Sequence, residues 1–590
     1  MTRAGWPAMC ASRRGNWLQV IVTAVGAFLL QAVICQAAPN HAHEQAAQAS
    51  SFHFEVTFPA SQSATPLDGR IYVIVSKSTS GEPRMEMSDQ PSTQQMFGVD
   101  VDGMAPGKSV IVNQTALGFP LDNVSQIPAG DYTVQALLNI YETFHRADGH
   151  VVKLPMDHGE GQQWNRKPGN LYSKPQRVHI DAASGGVVQI EMTEKIPPIE
   201  PPPDTKWVKH LTIQSDLLTR FWGRPMNLTA IVLLPEGFDE HPDSHYPLML
   251  EQGHFPRDYT LRTEPPSPDL QGMARTRAEA QYRFFQDWVA GRLPRMLFVE
   301  VQHANPYYDD SYSVNSANVG PYGDAIMHEL LPAVERKYRG IGQGWARAVE
   351  GGSTGGWEAL ATQIFYPSEF NGSWGLCPDP VDFRGYQIVN IYDDQNALWI
   401  EGPFSKVPRP AVRRPDGNVV TTMDREIRRE EVLGTHGRSA DQFGIWQAVF
   451  SPLGEDGYPK PIWDPMTGVI DHKVAEYWRD HYDLRYILDR DWKTLGPQLV
   501  GKLHIKVGTR DTYYLDIGVR FMDEFLKSTN NPHAFADVEY GPHLPHCYTG
   551  HPELPNALGS LDLQQRILPA AVDWMLKTAP KGADISSWKY

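Results

Sequence analysis

A serine, an aspartate and three histidines occur along this chain in the order that acyl transfer needs. The stretch "RAVEGGSTGGWEAL", 347–360, contains the pattern G-x-S-x-G as Gly351, Gly352, Ser353, Thr354 and Gly355. That spacing seats a serine on a tight strand-to-helix turn with its hydroxyl exposed. Among 49 glycines the pattern alone is weak, so its surroundings must decide. A serine hydroxyl attacks a carbonyl only when a histidine takes its proton and a carboxylate holds the imidazole in the right tautomer. In the order serine, acid, histidine, the acid is Asp511, in "VGTRDTYYL" just past the strand-like Leu503 to Val507, with Asp516 as the fallback. An aspartate before a helix would equally suit an N-cap. The base lies in "GPHLPHCYTGHPE": His546 is favoured, His543 is the alternative, and His551 comes last. Two backbone amides must hold the oxyanion, one from Thr354 and one from Gly253 or His254, after "LMLEQ". His254, His303 and the acidic loop beyond them lack metal-ligand spacing, and no Cys/His pattern suggests zinc, so neither metal nor cofactor is expected.

These residues need a scaffold, and the patterning supplies one. "WARAVE" reads as a short strand leading into the serine turn. After it, Trp357, Leu360, Ala361, Ile364 and Phe365 recur at helical spacing until Pro367 stops the run. Upstream, "NLTAIVLLPEGF", "YPLMLEQGHF" and "RMLFVEVQHANP" read as strands, and "GDAIMHELLPAVERKYR" as an amphipathic helix. Strands alternating with helices predict a mostly parallel sheet over 206–590. Between about 400 and 490 the alternation breaks into prolines, charges and aromatics, the composition of an inserted cap region that roofs an active site. Residues 52–195 carry short strand-like runs between Gly, Pro and Asp turns, which predicts an Ig-like antiparallel β-sandwich. "KIPPIEPPPDTKW" makes 196–205 a proline-rich linker.

The first residues predict export. Arg13 and Arg14, then the apolar "WLQVIVTAVGAFLLQAVI", then "CQA" give a signal peptide over 1–37, with no stable membrane span once it is removed. The expected location is periplasmic or extracellular. With 69 acidic against 53 basic residues and a net charge of −16, the chain offers no electrostatic footprint for nucleic acid. A small-molecule or glycan-linked ester is the expected partner.

The segments "GPYGDAIMHELLPAVERKYR", "WARAVEGGSTGGWEAL", "VGTRDTYYL" and "HCY" resemble the esterase D-like family of α/β-hydrolases, which includes feruloyl esterases and mycolyl transferases. The resemblance covers about 206–580. It implies an α/β-hydrolase fold, acyl transfer through an acyl-serine without a cofactor, and the roles of nucleophile, acid and base for Ser353, Asp511 and His546. Where the family more often shows a His-Gly pair in the oxyanion loop, this chain reads Gln252-Gly253-His254. Cys377 and Cys547 should project from the same sheet edge, which makes them a candidate disulfide clipping the histidine loop. The leading expectation is an exported serine carboxylic-ester hydrolase. The alternatives are an acyltransferase or an amidase or peptidase using the same triad, and a non-catalytic surface or binding protein with a hydrolase fold.

Overall fold

The structure, a computed structural model, describes residues 52–590 apart from 89, 91, 255–258, 552 and 557–560. The expected signal peptide lies outside the described residues. Among these, no helix is long and apolar enough to cross a membrane.

The larger sheet has eight strands: β1 (Val208–Ser215), β2 (Met226–Leu233), β3 (Leu248–Gln252), β4 (Leu297–Gln302), β5 (Arg347–Gly352), β6 (Ser373–Leu376), β7 (Leu503–Gly508) and β8 (Asp537–Gly541). Their spatial order is β1-β2-β4-β3-β5-β6-β7-β8. β1, β2 and β4 pair antiparallel, and from β4 to β8 every pairing is parallel. The strands read as apolar runs because helices cover both faces of a parallel sheet: β5 is buried from Arg347 to Gly351. Ligands bind such sheets outside the carboxyl ends of the strands, and that is the edge where β3, β5 and β7 deliver the candidate residues.

Three helices frame that edge at the centre of the sheet: α1 (Thr354–Phe365), α2 (Met423–Leu433) and α3 (Gln442–Phe450). Two more follow, α4 (Asp516–Ser528) and α5 (Leu561–Thr578). α1 is buried along nearly its whole length, from Thr354 to Ile364, which explains its unusual run of small and apolar residues. The region 400–490 is more regular than its composition predicts. It holds two small hairpins as well as α2, α3 and a further helix, His472–Tyr482. The charges of "MDREIRREEVL" sit on a helix because Met423, Ile427, Val432 and Leu433 turn inward at helical spacing.

Residues 52–195 form two larger sheets and a two-stranded hairpin, Glu142–His145 with Val151–Leu154. Three strands run in the order Val187–Glu191, His53–Thr57, Val110–Val112, and a second sheet of seven includes Leu67–Ser76, Gln95–Met104 and Gly130–Ile140. Phe54, Val73, Phe97, Val112, Val134 and Ile190 belong to one buried apolar cluster shared by both sheets. The pairing is not wholly antiparallel, because the first strand and Val187–Glu191 run side by side in parallel. No strand or helix lies between Lys195 and Val208.

Candidate active site

β5 ends at Gly352 and α1 begins at Thr354, so Ser353 alone turns the chain. Its φ of 58° and ψ of −120° are a conformation that costs a residue with a Cβ about 1–3 kcal/mol. The close approach around it explains two of the glycines. A Cβ on Gly351 would stand 2.3 Å from the Gly355 carbonyl oxygen, and one on Gly355 would stand 2.0 Å from that of Gln252. The turn is tied to β6 by the Ser353 N–H, which donates to Leu376 O at 2.9 Å.

The structure brings Ser353, His546 and Asp511 together. Ser353 Oγ donates to His546 Nε2 at 2.9 Å, and His546 Nδ1 donates to Asp511 Oδ2 at 2.7 Å. Asp511 is fully buried past the end of β7. Its Oδ1 accepts from the backbone of Tyr513 (2.9 Å) and Leu515 (3.3 Å), so one oxygen shapes the turn while the other faces the imidazole. The histidine loop is held from behind by Asn556 Nδ2, which donates to Pro545 O at 3.0 Å and His546 O at 2.9 Å. His543 is exposed, and its backbone N–H donates to Thr509 Oγ1 at 2.8 Å. The His551 ring accepts from the backbone of Glu553 and Leu554. Asp516 pairs with Arg413 at 2.8 Å. None of these three takes the place of His546 or Asp511.

Burial opposes a proton on His546, but the Asp511 carboxylate beside it and their hydrogen bond win, and the imidazole is raised well above its usual value. Cys547 moves the opposite way, down to about 5, chiefly because Cys377 hydrogen-bonds to it, with His546 adding to the effect. The expected disulfide is not formed: Cys377 and Cys547 are free thiols. Their sulfurs and a ring nitrogen of His546 lie within 4.8 Å of one another. A disulfide needs sulfurs about 2.05 Å apart, and these two are not bonded.

A cavity of about 1250 Å³ opens over Ser353 and His546. Gly253 and His254 line it, and Thr354, at the first position of α1, carries an N–H outside the helix's own hydrogen-bond ladder.

No family model matches the chain, and no curated protein does either. Solved structures similar to it include a ferulic acid esterase (15% identity, TM-score 0.33, covering 62% of this chain and 99% of that one). Another is the fluorophosphonate-binding serine hydrolase F of Staphylococcus aureus (15%, 0.30, 62% and 98%). A third is an S-formylglutathione hydrolase of Agrobacterium tumefaciens (10%, 0.30, 62% and 94%). At these TM-scores the reading of the site rests on its own geometry.

Several residues of the cavity carry no motif. Asp379, a turn residue by sequence, is buried and accepts from Tyr312 Oη (2.7 Å), Thr354 Oγ1 (3.1 Å), Gln442 Nε2 (3.2 Å) and Trp446 Nε1 (3.3 Å). Asp382, in the same loop, pairs with Arg384 and Arg485. Gln162, from the N-terminal β-rich segment, donates to His254 Nδ1 at 2.5 Å and to the Tyr308 hydroxyl. Nothing local marks Gln162, because its partners lie 92 and 146 residues away.

Proposed function

We propose that the chain is an exported serine carboxylic-ester hydrolase. The observation that carries this reading is the hydrogen-bonded line Ser353 Oγ, His546 Nε2, Asp511 Oδ2, at 2.9 and 2.7 Å, on the wall of a large cavity. In the proposed cycle His546 takes the Ser353 proton as the oxygen attacks the ester carbonyl. Asp511 keeps the proton-bearing Nδ1 oriented and stabilises the imidazolium. The amides of Thr354 and of Gly253 or His254 hold the tetrahedral oxyanion. His546 then protonates the departing alcohol, and water activated by the same imidazole releases the acid from the acyl-serine.

The volume, about 1250 Å³, exceeds the roughly 300–1,000 Å³ of ordinary small-ligand pockets. Its wall mixes aromatic faces, Phe443, Trp446 and Tyr513, with Gln162, Gln442 and Glu430. Flat rings beside amides and carboxylates suit a sugar, whose C–H faces stack while its hydroxyls are hydrogen-bonded, so a glycan-linked ester is the proposed substrate. In this reading residues 400–490 act as a cap, and the N-terminal segment is an Ig-like sandwich that braces it.

A fluorophosphonate probe tests the nucleophile. The native protein should label and hydrolyse p-nitrophenyl acetate, while Ser353→Ala should do neither and melt at a similar temperature. An unlabelled native protein would leave the binding-protein reading in its place, and ester products formed from added alcohols would identify a transferase.

A further inference from the structure

Three buried side chains converge that the proposed reaction does not use. His303 follows β4, Asp310 lies in the loop after it, and Glu358 stands in the second turn of α1. All are at least 99% buried. Their potential ligand atoms lie within 4.8 Å of one another, with His303 Nε2 and Glu358 Oε1 3.9 Å apart. Four of those atoms, His303 Nε2, Asp310 Oδ2 and both Glu358 oxygens, are buried without a hydrogen-bond partner. Buried polar groups are nearly always paired, and an unpaired carboxylate is among the most costly to bury. Here one potential ligand atom from each of the three residues lies within 4.8 Å of the others.

We infer that His303, Asp310 and Glu358 form a buried site for a divalent first-row cation, with Zn²⁺ as the ion that best suits one imidazole and two carboxylates. The donor set is the mixed nitrogen and oxygen one that such ions take at about 2.0–2.2 Å. The separations are too long for direct hydrogen bonds and close to what two ligands across one ion require. The other ends of two of the ligands are held by neighbours, as metal ligands usually are by outer-shell partners. His303 Nδ1 lies 2.9 Å from Ser311 Oγ, and Asp310 Oδ1 accepts from the Tyr312 N–H at 2.8 Å. Burial raises Asp310 and Glu358 well above ordinary carboxylates and lowers His303 to about 4. A cation would keep all three in their ligating forms.

The sequence hides this site. His303 and Asp310 are seven residues apart and Glu358 a further 48, which matches no short ligand motif. The ion would join the 303–313 loop to α1. That loop carries Tyr312, whose hydroxyl reaches Asp379 and Thr354 beside the nucleophile. The cation is therefore assigned a structural role and takes no part in the acyl chemistry.

Metal content and binding test the proposal without reference to turnover. The variant Cys377→Ser/Cys547→Ala removes the thiol cluster near His546, which would also capture Zn²⁺. In that background, protein stripped by a chelator should bind one Zn²⁺ per chain in a calorimetric titration and regain a higher melting temperature. Adding Glu358→Gln should weaken binding by more than about 10-fold, the loss that even outer-shell partners of a metal cause. Should Glu358→Gln not fold, His303→Gln in the same background provides the second comparison. Absence of Zn²⁺ binding by the stripped parent, or equal binding by the Glu358 and His303 variants, would overturn the site and leave the proposed nucleophile untouched.

Discussion

The hydrogen bond from Ser353 Oγ to His546 Nε2 is productive only while the imidazole is neutral, and its surroundings favour the charged form. Asp511 and the neighbouring Cys547, whose own value is drawn down to about 5, raise the His546 pKa well above 6.5. The acidic limb of kcat/KM should therefore have its midpoint above pH 6.5. Cys547→Ala removes a negative charge beside the ring and should move that midpoint to lower pH, as a pH-rate series on a chromogenic ester would record. A midpoint that does not move would show that Cys547 is not charged in the free enzyme. Asp511→Asn should also lower it, while cutting kcat by about 10⁴-fold, since the asparagine favours the wrong tautomer. The pair also stabilises the fold. Because the folded value is raised, that stabilisation is complete below the unfolded value of about 6.5 and is lost as pH rises through the folded value. The melting-temperature gap between native protein and Asp511→Asn should thus be widest in acid and close in alkali.

The nucleophile turn depends on β3, β5 and α1 lying closer than side chains allow. Gly355→Ala would drive a Cβ to 2.0 Å from Gln252 O and 3.0 Å from the Gly253 Cα. Both are backbone atoms, so β3 and the oxyanion loop would have to move. Overpacking of this kind costs about 1–3 kcal/mol, and the displaced amide should cost a further 10²–10³-fold in kcat. A melting curve and the rate of fluorophosphonate labelling separate the two effects. This turn was legible in the sequence because its signal is local: glycines fix the close approach, and the apolar spacing of Trp357, Leu360, Ala361 and Ile364 fixes the helix. Asp511 and His546 were legible through chain order and their places after β7 and β8. The strand Gln95–Met104 carries little local signal, because Gly98, Asp100, Asp102 and Gly103 are residue types of turns. Gly98 is there for another reason, since its Cβ would meet Val432 O at 2.3 Å. The helices of 400–490 were obscured by prolines and charges whose partners lie elsewhere in the chain. Arg428, for example, donates to Gly118 O and Asp122 O, 310 and 306 residues away. The cysteine pairing failed for a related reason, because shared position at a sheet edge does not fix a sulfur–sulfur distance.

At the scale of the whole molecule, the N-terminal sheets hold α2, and α2 forms part of the cavity wall through Glu426, Arg429 and Glu430. Arg70, almost fully buried, donates Nε to Val432 O at 2.7 Å and Nη2 to Glu431 O at 2.8 Å, and pairs with Asp100 at 2.7 Å. Tyr72 Oη donates to Leu433 O at 2.5 Å, and Val432 and Leu433 share an apolar cluster with Tyr72, Ile74 and Leu137. From the same segment, Gln162 reaches the cavity and touches His254 and Tyr308. Bracing and lining can be separated by mutation. Arg70→Met strands two carbonyls at the end of α2. Charged hydrogen bonds are worth about 1.5–3 kcal/mol each, so this variant should melt clearly lower and, below its transition, retain most of its turnover of a small ester. Gln162→Ala breaks no link to α2. It should leave the melting temperature nearly unchanged while lowering kcat/KM by about 2- to 10-fold, the equivalent of one net hydrogen bond. The loss should be larger for a bulky glycan ester than for p-nitrophenyl acetate, because Gln162 stands on the wall of the cavity rather than at Ser353. If both variants lose stability alike and neither alters the ratio of the two substrates, the N-terminal segment is a brace alone and contributes nothing to recognition.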